Sequence, residues 1–202
     1  VYANEGTWQG ILQRETGIPQ KCMRTFYTGE DFYIGALNVH PFPIPHDAAD
    51  PVGFAFDCQG LRCGVATDIG HISETWMRAV SGCQALVLEA NHDVEMVRRG
   101  PYPQRLKQRI LGPLGHLSND AAAAFAAQMA RPGTREIVLA HLSRENNTPA
   151  MALGRVGRAL SGTGVRLSAA PRRELGGPYI VEVSNAKGQH PLCGETEGEV
   201  LP

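Results

Sequence analysis

The chain has 202 residues, 43% of them apolar and 19% charged, with a net charge of −1. That balance describes a folded domain able to bury its own core and not a disordered chain. It also supplies no overall pull toward nucleic acid, so any contact with a polyanion must come from a local patch. The opening residues VYANEGTW are strand-like and lack the basic and apolar regions of a secretory signal. No apolar run reaches the roughly 18–20 residues that a membrane span requires, and the expected location is the cytoplasm.

Residues 31–43, DFYIGALNVHPFP, read as a strand or hairpin ending in prolines. The stretch 52–67 reads as two antiparallel strands turning at Asp57-Cys58-Gln59-Gly60. Residues 72–82 form a helix ended by Gly82, and 84–90 a short buried strand. A helix follows over 104–111, beginning near Pro103. The Ala-rich segment 118–130 is the clearest helix, with Ser118 or Asn119 available as its N-cap. After Pro132-Gly133 come a strand at 135–141, a helix at 149–160 with Pro149 in its first turn, and a strand at 165–169. Helices alternating with buried strands imply a layered α/β domain over residues 1–185, with a polar tail at 186–202. Five cysteines (22, 58, 63, 83 and 193) form no CxxC pair. Cys58 and Cys63 flank the expected hairpin turn and read as semi-buried residues of a reducing compartment.

Polar residues follow the apolar runs where strands end: Asp68, Glu89 with His92 and Asp93, and His141. His46 precedes a strand, in the loop IPHDAADPVGF. Ligands bind at the carboxyl ends of strands in such folds, and His46, Asp68 and His141 are donor types suited to zinc, manganese or iron. The alternative is that Asp68 caps a helix and His141 merely packs. His116, just before the Ala-rich helix, either meets an anion or belongs to a cap cluster. Arg98, Arg99, Arg105, Lys107 and Arg109 form a run with no acidic residue between Glu95 and Asp120. Such a run either solvates helix faces or holds a phosphodiester backbone.

Taken together, IPHDAADPVGF, GVATDIG, LVLEANHDVEMVRRGPYPQRLKQRILGPLGHLSN and IVLAHLSRENNTPAMA resemble the metallo-β-lactamase-fold metallohydrolases, most closely the YycJ/WalJ type of DNA exonuclease. The resemblance runs from residue 1 to about 183. It implies a four-layer αββα sandwich holding two divalent metal ions, zinc or manganese, in a cleft at the strand ends. By the same resemblance His46 and His141 each bind one metal, Asp68 bridges both, and His116 contacts the scissile phosphate or leaving group. Ser118, Asn119, Arg98, Arg99, Arg105 and Lys107 would then bind the substrate, with DNA as the partner and no membrane. Asp47 and Asp50 would shape their loop.

One departure from the family pattern stands out: its His-x-His-x-Asp-His signature, a main source of metal ligands, is absent from the sequence. The expectation is therefore a chain that lacks the amino-terminal portion of the fold and is inactive by itself. Two other readings stand beside the nuclease: a non-catalytic fragment or binding module, and a metallohydrolase of small esters or thioesters. Were metal held tightly all the same, His71, His92 and Asp93 would be the first further ligands to consider.

Overall fold

A computed structural model of the chain describes residues 1–12, 17–176 and 178–179. The expected polar tail at 186–202 lies outside the described residues. Strand β1 (Tyr2–Ala3) leads into helix α1 (Glu5–Leu12), and β1 pairs in parallel with β2 (Arg24–Thr25) as a small ribbon. Among the described residues the main sheet has seven strands. β3 (Phe32–Ile34), β4 (Leu37–Pro43), β5 (Val52–Cys58) and β6 (Leu61–Ala66) are antiparallel neighbours. Beside them, β7 (Ala85–Glu89), β8 (Glu136–Ala140) and β9 (Arg166–Ala169) continue in parallel from β6, so the strand order follows the sequence. Between them run α2 (Glu74–Val80), α3 (Val94–Arg99), α4 (Gln104–Leu111), α5 (Asn119–Met129) and α6 (Pro149–Ala159).

The local signals explain most boundaries. Gln59 and Gly60 take positive φ, 50° and 79°, which lets a two-residue turn join β5 to β6 with the right strand twist. The Ser118 and Thr148 side chains accept from the N–H groups of Ala121 and Met151, capping α5 and α6. Two short helices are not expected from the sequence: α1, weakened as a pattern by two glycines, and the six-residue α3.

One face of the sheet is covered by helices. Ala55, Ala66, Leu86, Leu88, Ile137 and Leu139 meet Trp76, Val80, Phe125 and Val156 there, all within the buried core. The Trp76 and Phe125 rings lie 4.3 Å apart at its centre. On the opposite face Phe54, Phe56, Cys63, Val65, Ala85 and Val87 are only partly buried. The β1–β2 ribbon reaches one end of that face, where Phe26 stacks on Phe32 and meets Phe54 edge-on. The described residues thus supply a helix layer and a sheet layer of the expected four. Cys58 and Cys63 lie on neighbouring strands and are free thiols. Among the described residues no helix is long and apolar enough to cross a membrane.

Candidate metal centre and its cleft

The parallel strands β6, β7 and β8 end side by side, and each end delivers a polar side chain to one point. β7 ends in Glu89, whose side chain is fully buried. Asp68, just after β6, and His141, just after β8, both have left-handed backbones, with φ of 59° and 55°. Such a conformation is unfavourable for residues other than glycine and concentrates at functional sites. Asn91 helps hold it, since its Nδ2 donates to the His141 carbonyl at 2.8 Å.

Glu89 organises what surrounds it. Its Oε1 accepts from Nδ1 of His116 at 2.9 Å and from Nδ1 of His141 at 2.7 Å. Its Oε2 accepts from the backbone N–H of Ile69 at 2.6 Å and of Leu117 at 3.2 Å. Burial acts to raise the Glu89 carboxyl, but the bonds from His116, His141 and Ile69 outweigh it and hold the group below the ordinary glutamate value. The bond to Glu89 in turn raises His141 above the ordinary imidazole value, against the opposing effect of burial. An ionised carboxylate at Nδ1 fixes the tautomer of both rings and leaves each Nε2 free of that bond.

His46 completes the group from another direction. Its Nδ1 meets the Gly115 carbonyl at 3.0 Å, and its Nε2 lies 3.7 Å from Asp68 Oδ1. That separation is too long for a hydrogen bond. The 113–116 loop comes this close because Gly70 has no side chain: a Cβ there would stand 2.1 Å from the Pro113 carbonyl oxygen. The His46 and His141 rings each lie 5.1 Å from that of His116.

The donor set suits a divalent metal. Asp68, Glu89, His116 and His141 each offer a ligand atom, and these atoms all lie within 4.8 Å of one another. With all four of its bonds made, Glu89 serves better as the support of two imidazoles than as a ligand itself. In the sequence Glu89 stands out only as a carboxylate closing the apolar run ALVLE, with no role attached to it. Asp93 and His71 are engaged elsewhere. Asp93 caps α3 by accepting from Met96 N, and His71 meets the Pro113 carbonyl. His92 is buried, and burial pushes its pKa down to about 4.

His116 and His141 line a cleft of about 280 Å³ together with Asn91, Tyr102, Leu106, Arg109, Ile110, Leu142 and Ser143. Six residues expected to bind substrate do not line this cleft. Ser118 is spent on its cap. Asn119 is buried in a reciprocal amide pair with Asn147. Arg98 and Lys107 line a separate depression with Gln104, Gln108 and Leu111, on the side of α4 opposite Leu106 and Arg109. Arg99, highly exposed, pairs with Glu95, and Arg105 is exposed on α4. The basic residue that does reach the cleft is Arg109. Its guanidinium donates to both carboxylate oxygens of Asp47 at 2.5 and 3.0 Å and holds that carboxyl below its ordinary value. Asp50 accepts from Thr28, so each loop aspartate ties its loop to a neighbouring segment.

A family model described as the beta-lactamase superfamily domain matches residues 1–142. The chain belongs to this superfamily. Within it, exodeoxyribonuclease YycJ of Bacillus anthracis is 38% identical over 164 residues, covering 81% of this chain and 62% of that protein. The chain therefore spans less than two thirds of that relative's length. Among solved structures, the metallo-beta-lactamase fold protein YhfI from Bacillus subtilis aligns with a TM-score of 0.62 at 12% identity, over 84% of this chain and 61% of that one. Zinc-bound PqqB from Methylobacterium extorquens aligns with a TM-score of 0.60 at 17% identity, over 83% and 62%. Both alignments are matters of fold, and the fold is that of the metallo-β-lactamases.

Proposed function

We propose that this site belongs to a divalent-metal-dependent phosphodiesterase that degrades DNA from an end. The observation that carries the reading is the buried Glu89, which holds His116 and His141 beside Asp68 at the mouth of a cleft. His46, Asp68 and His141 would hold the metal, for which two ions of zinc or manganese are proposed. When bound, such ions supply an activated water and neutralise charge on the phosphate. Everything else falls to the chain's own side chains. Glu89 keeps His116 oriented, and His116 gives a proton to the leaving oxygen. Arg109, at the cleft wall, offers a planar pair of donors to a phosphate. The name of the Bacillus anthracis relative supports DNA as the substrate, and Arg109 supplies a local cation at the cleft.

The missing signature favours a second reading for this chain taken alone. Three residues, His46, Asp68 and His141, would be few donors for two ions, where a catalytic zinc ordinarily has about three protein ligands plus water. Weak metal retention and little turnover are then expected. The test is a longer protein that carries a His-x-His-x-Asp-His segment ahead of Val1. It is incubated with labelled single-stranded and duplex DNA, and separately with nitrophenyl esters, in manganese or zinc. Metal-dependent loss of DNA is expected, and His116→Ala should cut it about 100- to 10,000-fold at unchanged metal content. Ester turnover with intact DNA would refute the phosphodiesterase reading.

A further inference from the structure

The loop after β8 leads from the cleft into a second hollow. Ser143 lines the cleft beside His116 and His141. The next residue, Arg144, lines a separate space of about 490 Å³ together with Pro171, Arg172, Arg173 and Glu174. Arg172 ties the two walls together, donating to the Ser143 carbonyl at 2.7 Å and the Asn147 carbonyl at 3.3 Å. Its guanidinium is therefore fixed, and it pins the segment after β9 against the segment after β8.

Arg144 and Arg173 are different. Both are exposed, and neither forms an ion pair or a side-chain hydrogen bond within the described residues. The hollow thus gathers three guanidiniums against one lining carboxylate, Glu174, in a chain whose net charge is −1. An aromatic ring stands close by. The Pro171 ring and the Tyr179 hydroxyl lie 3.3 and 3.4 Å from the point where a Cβ on Gly176 would be, and Tyr179 is 43% exposed.

We infer that this hollow is a second phosphate subsite, which holds the backbone of a single-stranded nucleic acid whose scissile phosphodiester lies in the cleft. The inference rests on the phosphodiesterase reading and adds the path of the strand. Phosphates recur at every nucleotide, so a polymer anchored at Arg109 meets a second cationic station if it follows the 143–144 loop. Arginine suits that station because its donors match phosphate oxygens in pairs. A positive groove beside an exposed aromatic ring is the combination by which proteins hold single strands without reading sequence, with bases stacking while phosphates pair. The basic run at 98–109 could not reveal this, because Arg144 and Arg173 are distant in sequence and meet only through the β8–β9 pairing.

The test uses the 202-residue chain in EDTA, so that binding is read without hydrolysis. A labelled oligothymidylate of about 12–16 nucleotides is titrated by fluorescence anisotropy at several salt concentrations. The wild-type chain should bind with an affinity that falls as salt rises. The double variant Arg144→Gln/Arg173→Gln should flatten that dependence by about 1.4 in slope, roughly 0.7 for each single-strand phosphate that is no longer neutralised. Glu174→Gln should bind more tightly than wild type. Arg172 is left intact because it holds the loops together, and unchanged melting of the variants confirms their fold. Salt-dependent binding with the same slope in the double variant would overturn the subsite and leave the phosphodiesterase reading standing. Absence of salt-dependent binding by the wild-type chain would also overturn the subsite, whereas the phosphodiesterase reading falls only to intact DNA in the assay of the longer protein.

Discussion

At Glu89 one buried carboxylate accepts four hydrogen bonds, two from imidazoles and two from backbone N–H groups. A glutamine of the same shape has one accepting oxygen, so its NH₂ must face one of those donor pairs. Glu89→Gln should therefore cost about 1–3 kcal/mol, the usual consequence of buried donors left unmatched. Urea unfolding with an unchanged m-value would show it, and a stability equal to wild type would contradict the role given to Glu89. His92 makes a separate prediction. Burial holds it neutral with a pKa of about 4, whereas the unfolded chain takes up that proton near the ordinary value of 6.5. The unfolded state binds more protons across that window, so the contribution is fully present above pH 6.5 and is lost as pH falls toward 4. At about 1.4 kcal/mol per pH unit, the loss is of order 3 kcal/mol. His92→Gln should flatten the acid limb of a stability profile between those values, and an unchanged limb would show that another group sets it.

Among the elements, the amide pair of Asn119 in α5 and Asn147 before α6 joins two helix entries. Each side chain donates to the other, and Asn147 also donates to the Ala90 carbonyl just after β7. Asn119→Ala and Asn147→Ala should each destabilise, and together by less than the sum, with a coupling of about 0.5–3 kcal/mol. Additive losses would show that the pair acts as two independent residues. The sequence made the helices and strands around this pair legible through Ser118, Pro149 and the apolar runs. The amide pair itself was not legible, because its partners are 28 residues apart. The basic run fails for a related reason. It crosses α3 and α4, and helical phase divides its side chains between two faces of α4, so adjacency in sequence is not adjacency in space.

Across the whole molecule, the site lies at the strand ends on the edge of the partly exposed sheet face. Ala85, Val87 and Glu89 stand at every second position along β7 and so share one side of the sheet. Asp68 and His141 drew notice in the sequence as polar residues that end apolar runs, and His46 through a motif that resembles a family; the structure brings the three near one another. Glu89 could not be assigned, because its role depends on imidazoles 27 and 52 residues away. A centre built from few ligands and supported by a buried carboxylate should take up metal weakly but specifically. Manganese titration of the 202-residue chain, followed by the electron paramagnetic resonance signal of the free ion, measures this directly. Weak, saturable uptake is expected, which Asp68→Asn abolishes and His141→Ala reduces. No saturable uptake, or uptake indifferent to both substitutions, would contradict this expectation.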